Sequence, residues 1–131
     1  MTIKTSAFAS CSSLTTVDFP VFTAIESNAF ASCISLTTAS FPACTTIGNY
    51  AFTRCYNLKS LYLTGSSVCQ LSNSKAFSST PFGGYSYYFS GTPYIYVPAS
   101  LLTSYQTATN WTYFSSRIVA YDSGNSGGAG D

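Results

Sequence analysis

The residues that most often carry out catalysis are scarce in this 131-residue chain. It contains no histidine, five lysines and arginines together, and four acids. Histidine is the commonest general base and a common metal ligand, so its absence removes both roles. The acids are Asp18, Glu26, Asp122 and Asp131, which are spread along the chain. This composition predicts a protein that is not an enzyme and needs no cofactor, although a serine–lysine pair brought together by the fold is left open.

The five cysteines have the spacing of a repeat rather than of a metal site. Cys11, Cys33 and Cys55 are 22 residues apart, while Cys44 and Cys69 lie outside that column. Structural zinc sites usually contain close pairs of the type C-x₂-C, so no metal is expected. Free cysteine packs as a small apolar residue, and we predict a column of buried thiols. A Cys44–Cys69 disulfide is left open, and the odd count leaves at least one free thiol in a monomer.

A repeat of 22 residues positions these side chains. Seven columns of similar residues recur at this spacing over three copies without a gap, which identifies a repeat architecture. The columns are Ile3/Ile25/Ile47, Ala7/Ala29/Ala51, Phe8/Phe30/Phe52, Cys11/Cys33/Cys55, Leu14/Leu36/Leu58, Val17/Ala39/Leu61 and Phe19/Phe41/Leu63. A fourth copy is stretched, with Ala76-Phe77 and Ile95-Tyr96-Val97-Pro98 separated by a Gly-, Ser- and Tyr-rich insertion at roughly residues 80–93.

Stacked copies of this unit form a solenoid, because a single copy cannot bury its own apolar side. Triads such as Val17-Asp18-Phe19 alternate apolar and polar residues with the period of a strand. We therefore predict an α/β-type solenoid with a parallel sheet of about four strands and return segments made of a turn and a short helix or 3₁₀ helix. The predicted boundaries are 1–98 for the repeats, 99–122 for a helical C-terminal cap and 123–131 for a flexible tail.

The repeat unit also resembles a known family. The segment SNAFASCISLTTASFP, residues 27–42, is similar to the BspA-like, or Treponema pallidum-type, leucine-rich repeat. The C-terminal stretch YIYVPASLLTSYQTATNWTYFSSRIVAY is similar to a module that ends such arrays in gut bacteria and their phages. This resemblance implies a surface-exposed or secreted protein that binds a protein or glycan on a host or neighbouring cell. The expected location is therefore extracellular or at the cell surface, although the chain starts without a signal-peptide pattern.

The outward strand positions and the inserted loop hold the candidate binding residues. They are Asp18, Ser40, Tyr62 and Tyr96 in the strands, and Tyr85, Tyr87 and Tyr88 in the loop. Tyrosine provides rigid contact area at low entropic cost, which suits recognition of a protein or a glycan. Two alternatives stay open: the rings pack over the end of the core, and the hydroxyl-rich sheet face is an ordinary solvated surface.

Charge and hydropathy exclude two classes of partner. The net charge is +1 and only 7% of residues are charged, against about 25% in an average protein. A chain with so few basic residues has no stripe for the phosphate backbone, so nucleic acid is not an expected partner. The sequence contains no apolar run of about 18 residues, so membrane insertion is not expected either.

The first copy begins without a cap, and this suggests a second function. An uncovered solenoid end exposes a sheet edge and part of the core. Ile3 and Phe8 lie in that copy and are candidates for head-to-tail self-association. We predict a non-enzymatic surface adhesion or recognition module. The alternative is a structural or assembly subunit of a cell-surface or phage particle that stacks through its N-terminal end.

Overall fold

The computed structural model describes residues 1–84 and 91–121. Within these ranges the strands are β1 (Thr2–Ile3), β2 (Thr16–Asp18), β3 (Ala24–Ile25), β4 (Thr38–Ser40), β5 (Thr46–Ile47), β6 (Ser60–Tyr62), β7 (Gln70–Leu71), β8 (Tyr94–Pro98) and β9 (Ile118–Tyr121). The short-strand sheet has the order β1-β3-β5-β7, and the long-strand sheet has the order β2-β4-β6-β8-β9. All of these pairings are parallel, as a solenoid requires.

The helical segments of the described residues are short and lie toward the C-terminus. One α-helix, α1, spans Leu102–Thr107. The 3₁₀ segments are Ser74–Phe77, Pro81–Gly83, Ala99–Leu101 and Trp111–Arg117. The architecture is therefore an α/β solenoid-like fold made mainly of parallel sheet, with few short helices.

Equivalent residues of successive copies lie side by side across both sheets. In the short-strand sheet Ile3 pairs with Ile25, and Ile25 pairs with Ile47. The regular spacing ends after the third copy, because Thr46 pairs with Gln70 instead of Val68, the residue 22 positions on. The irregular junction thus lies between β5 and β7, before the insertion begins.

The return segments differ from the sequence-based prediction. In the first three copies the Ala-Phe part forms consecutive turns, and helical structure in the described ranges begins only at Ser74. The isoleucine column was expected in that helical arm, but it forms the short strands β1, β3 and β5. The prediction of a helical return was wrong here, because only alternate N–H groups of these turns bond within the copy, as Ala7 does to the Lys4 carbonyl at 3.0 Å. The N–H groups between them donate to the next copy.

Left-handed backbone conformations make that bonding pattern repeat. Positive φ angles occur at the same two positions of each copy, with values from 57° to 61° at Ser6, Asn28, Tyr50, Ser10, Ser32 and Arg54. These turns direct N–H groups along the stack, so Ser6 N–H donates to the Ser27 carbonyl at 3.1 Å and Ser10 N–H to Ala31 at 2.7 Å. Each copy therefore depends on its neighbour for backbone hydrogen bonds as well as for apolar burial.

The phenylalanine column forms a continuous stack through the core. The ring centroids of Phe8 and Phe30 are 5.2 Å apart, those of Phe30 and Phe52 5.3 Å, and those of Phe52 and Phe77 5.5 Å. The interplanar angles are 3° to 5°, and at these distances the rings are offset, as aromatic pairs prefer. Phe30, Phe52 and Phe77 are fully buried, so this column joins all four copies.

The cysteine column is buried as predicted. Cys33 and Cys55 are inaccessible to solvent, whereas Cys11 in the first copy is half-buried. The Cys33 thiol donates to the Phe8 carbonyl at 3.1 Å, and the Cys55 thiol donates to the Phe30 carbonyl at 3.1 Å. A hydrogen bond with Cys33 and burial raise the pKa of the Cys55 thiol, so this residue stays protonated. These thiols therefore act as weak donors between copies.

Side chains from residues 105–111 cover the free edge of β7. The carbonyls of Cys69 and Leu71 are equivalent to those of Thr45 and Ile47, which accept hydrogen bonds from the following copy. Trp111 Nε1 donates to the Cys69 carbonyl at 2.7 Å, and Asn110 Nδ2 donates to the Leu71 carbonyl at 2.7 Å. The Cys69 N–H donates to the Tyr105 hydroxyl at 2.7 Å. Side chains thus replace the next short strand at this edge.

A test of the aromatic column is Phe52→Ala. Phe52 stacks on rings from both neighbouring copies, so its removal leaves a cavity at the centre of the array. We expect a loss of about 3–5 kcal/mol in the free energy of unfolding. Urea titration followed by circular dichroism measures this loss. The control is Tyr113→Ala, because the Tyr113 side chain is 72% exposed to solvent. Equal urea midpoints for the two variants would contradict the prediction.

A test of the covered edge is Tyr105→Phe. This change keeps the buried ring but removes the hydroxyl that accepts the Cys69 N–H, so a buried donor loses its partner. We expect the free energy of unfolding to fall by about 1–3 kcal/mol. Tyr113→Phe is the matched control and should leave it unchanged. A Tyr105→Phe variant as stable as the control would show that the hydrogen bond is unimportant.

Candidate ligand-binding face

The outward residues of the long-strand sheet lie in rows across the strands. Asp18 pairs with Ser40, Ser40 with Tyr62, and Tyr62 with Tyr96, so the four predicted strand residues form one row. Their chain neighbours on the inward side are buried, which fixes the strands beneath the row; these neighbours include Val17, Ala39, Leu61 and Ile95. The parallel register therefore brings together residues that are far apart in sequence.

Four tyrosines cluster at the C-terminal end of this row. The rings of Tyr62 and Tyr96 stack at 4.6 Å between centroids with an interplanar angle of 12°. Tyr121 meets Tyr62 edge-on at 5.3 Å and Tyr96 at 6.3 Å, and Tyr94 meets Tyr96 at 6.1 Å. We call this cluster together with Asp18 and Ser40 the tyrosine face. Its rings hold one another in place, which limits the conformational entropy lost on binding.

A shallow groove of about 300 Å³ lies beside the tyrosine rings. It is lined by Thr16, Val17, Asp18, Thr38, Ser40, Tyr62, Thr64 and Tyr121. Hydroxyl groups and the Asp18 carboxylate provide hydrogen-bonding positions, while the rings provide apolar contact area. This combination of polar groups with an aromatic platform can hold a hydroxyl-rich or peptide-like group.

The hydroxyl of Tyr96 remains neutral at physiological pH. Burial, together with the neighbouring phenols of Tyr62 and Tyr94, raises the pKa of Tyr96 above its usual range. A neutral phenol both donates and accepts a hydrogen bond. Tyr96 therefore offers both kinds of contact to a ligand without presenting a charge.

The other predicted site residues have different surroundings. Tyr85, Tyr87 and Tyr88 lie outside the described residues. Ile3 is only 2% exposed and packs in the core, so its side chain is not available for self-association. Phe8 is half-buried and packs against the same core, with part of its ring accessible.

Two members of the tyrosine face are not among the residues predicted at the outward strand positions. Tyr94 lies one position before the recognised triad, in the strand position equivalent to Ser60. Tyr121 lies in β9, which pairs with β8 so that Tyr121 is opposite Pro98. The segment Ile118-Val119-Ala120-Tyr121 is a weak strand signal, because it neither alternates apolar and polar residues nor matches the 22-residue repeat.

A larger groove of about 510 Å³ crosses the short-strand sheet, but its lining is less suited to recognition. It is formed by Thr5, Glu26, Gly48, Gln70, Ser72 and neighbouring residues, with no aromatic ring among them. The Glu26 carboxylate already accepts hydrogen bonds from the Thr5 N–H at 3.0 Å and the Thr5 hydroxyl at 3.2 Å. The tyrosine face is therefore the stronger candidate, because aromatic side chains dominate binding energetics.

No group of three or more cysteine, aspartate or glutamate side chains in residues 1–84 and 91–121 is arranged to hold a metal ion. Over the same ranges, no helix has the length and apolar character needed to cross a membrane.

The fold and the repeat define the class of the protein. Residues 1–92 match the family described as BspA type leucine-rich repeat region (6 copies). The chain therefore belongs to the BspA-type leucine-rich repeat family, as its repeat unit predicted. This repeat is a module often used in adhesion or protein binding and is typically not enzymatic. No curated protein matches the chain in sequence.

Proposed function

We propose that this chain is a surface adhesion or recognition module that binds a protein or a glycan through its tyrosine face. The observation that carries the proposal is the stack of Tyr62 on Tyr96 with Tyr121 edge-on, beside a groove that contains a carboxylate and several hydroxyls. Tyrosine-rich rigid surfaces of this kind are typical of recognition sites. The family supports this role, because its repeats are often used in adhesion.

The solenoid suits this role because it makes the site rigid. Strands β4, β6 and β8, which carry Ser40, Tyr62 and Tyr96, are each bonded to a strand on both sides, and their inward side chains are buried in one continuous core. A preformed surface loses little conformational entropy when it binds. In this proposal residues 99–121 act as a C-terminal cap that also supplies Tyr121 to the site. The extracellular or cell-surface location is part of the same proposal.

The test is Tyr62→Ala, which removes the ring at the centre of the cluster. Wild type and variant are screened on a glycan array and on immobilised extracellular-matrix proteins. For any ligand found, we expect Tyr62→Ala to weaken binding about 30-fold or more, as expected for a hot-spot aromatic residue. Tyr113→Ala, which lies outside the long-strand sheet, should change affinity less than about 2-fold.

Two further measurements make the result decisive. Thermal unfolding of both variants shows whether the fold is retained. We expect the fold to be retained, because Tyr62 lies on the surface of the sheet. Asp18→Asn then tests the far end of the row with almost no change in shape. Binding that survives in both Tyr62→Ala and Asp18→Asn would mean that the ligand is bound elsewhere and that the assignment to the tyrosine face is wrong.

A second candidate function is self-assembly through the N-terminal edge, and one feature favours it. β1 and β2 are the edge strands of the two sheets, and Phe8, Phe19 and Phe22 are only partly buried. Head-to-tail stacking onto β7 would displace the hydrogen bonds from Trp111 and Asn110. Contact between two N-terminal edges displaces no such hydrogen bond among the described residues, so this is the arrangement that we propose for an assembly subunit.

The test of assembly is Phe8→Lys. A lysine on this edge places an uncompensated charge in the proposed contact, so the variant should stay monomeric. Light scattering after gel filtration should give wild-type protein a mass of twice 14.0 kDa at high concentration and the variant a mass of 14.0 kDa. Tyr113→Lys should behave as wild type. A monomeric wild type at every concentration, or a dimeric Phe8→Lys variant, would rule out this interface.

A further inference from the structure

Two cysteines outside the repeat column are in direct contact. The sulfur atoms of Cys44 and Cys69 are 2.9 Å apart, and both side chains are buried. The thiol of Cys44 also lies 3.4 Å from the Thr46 carbonyl, a longer contact. The thiols of Cys33 and Cys55 instead donate to backbone carbonyls of the preceding copy, at 3.1 Å each, so they already bond along the array, whereas the Thr46 carbonyl lies in the same copy as Cys44.

The backbone holds this pair together independently of the sulfur atoms. The N–H of Gln70, next to Cys69, donates to the carbonyl of Thr45, next to Cys44, at 2.7 Å. The Cys44 N–H donates to the Phe41 carbonyl at 3.1 Å. On the other side, the N–H and carbonyl of Cys69 are bonded to Tyr105 and Trp111. Both residues are therefore fixed beside each other, just before the adjacent strands β5 and β7.

We propose that Cys44 and Cys69 are a disulfide-forming pair that cross-links the third copy to the fourth in an oxidising compartment. A disulfide has an S–S bond of about 2.05 Å, so the two sulfur atoms need only a small approach from their contact distance. This inference does not depend on ligand binding at the tyrosine face. It assigns a covalent modification to two residues that the repeat pattern leaves unexplained.

The oxidant is a low-molecular-weight disulfide such as oxidised glutathione. The thiolate of one cysteine attacks this disulfide and releases one glutathione thiol, giving a mixed disulfide on the protein. The thiolate of the second cysteine then attacks the protein sulfur and releases the second glutathione thiol. The two protein thiols lose two protons and two electrons, which reduce the oxidant to two thiols. The hydrogen bond with Cys44 and burial raise the pKa of Cys69, so the reaction should accelerate as pH rises.

The cross-link lies where the regular array ends. The 22-residue register ends between β5 and β7, and Cys44 and Cys69 lie just before these two strands. In a solenoid each copy is held mainly by its neighbours, so an irregular junction is a natural point for separation. A disulfide here joins the regular copies to the part of the chain that carries β8, β9 and the C-terminal segment.

The experiment is to refold the purified chain from denaturant in a glutathione redox buffer, so that access to buried thiols does not limit oxidation. Two of the five thiols should disappear, as counted with a thiol reagent in denaturant. Trypsin cleavage places Cys44, Cys55 and Cys69 in different peptides, which are 5–54, 55–59 and 60–75 respectively. Mass spectrometry without reduction should find 5–54 linked to 60–75, with 55–59 free.

Variants assign the partner and measure the effect. Cys44→Ser should abolish the link to peptide 60–75, whereas Cys11→Ser, at the half-buried end of the column, should leave it intact. The oxidised wild type should unfold at a temperature about 10 °C higher than the reduced protein, and Cys44→Ser should show no such shift. Five remaining thiols, a link to 55–59, or a link to 60–75 that persists in Cys44→Ser would overturn the proposal.

Discussion

The structure depends on one constraint, which is that each copy completes the copy next to it. In the first three copies, each 22-residue unit contributes a two-residue strand to one sheet and a three-residue strand to the other, and it contains no helix. A single unit therefore cannot bury its apolar residues or pair all of its backbone N–H and carbonyl groups. Phenylalanine stacking and the N–H groups of left-handed residues act between copies. Cooperative stability therefore comes from contacts between equivalent positions, and any break in spacing must be compensated locally.

The same constraint produces the candidate binding site. Because the register places equivalent residues side by side, a change at one outward position of a copy alters one point in a row across the sheet. The row runs from a carboxylate through hydroxyls to stacked phenols, while the inward residues stay apolar. Recognition and stability thus use opposite faces of the same strands, which lets the outer face vary without loss of the fold.

Sequence alone predicted the strands that carry Asp18, Ser40, Tyr62 and Tyr96, the burial of Cys33 and Cys55, and the family. The sequence-based prediction failed for elements that the 22-residue period does not describe. Two-residue strands such as Ala24–Ile25 are too short for alternation to be recognised, so the second sheet was missed. Tyr121 entered the site through a strand outside the repeat. Ile3 was taken for an accessible end residue, but its side chain is buried in the core.

The direction of the hydrogen bonds also determines how the array responds to force. The bonds between copies, such as those from Ser6 to Ser27 and from Asn28 to Asn49, run along the axis on which the copies stack. A force applied along this axis breaks the hydrogen bonds of one pair of copies at a time, instead of all the hydrogen bonds of a sheet together. The array therefore lengthens in steps, and each released copy of 22 residues adds roughly 70 Å of extended chain.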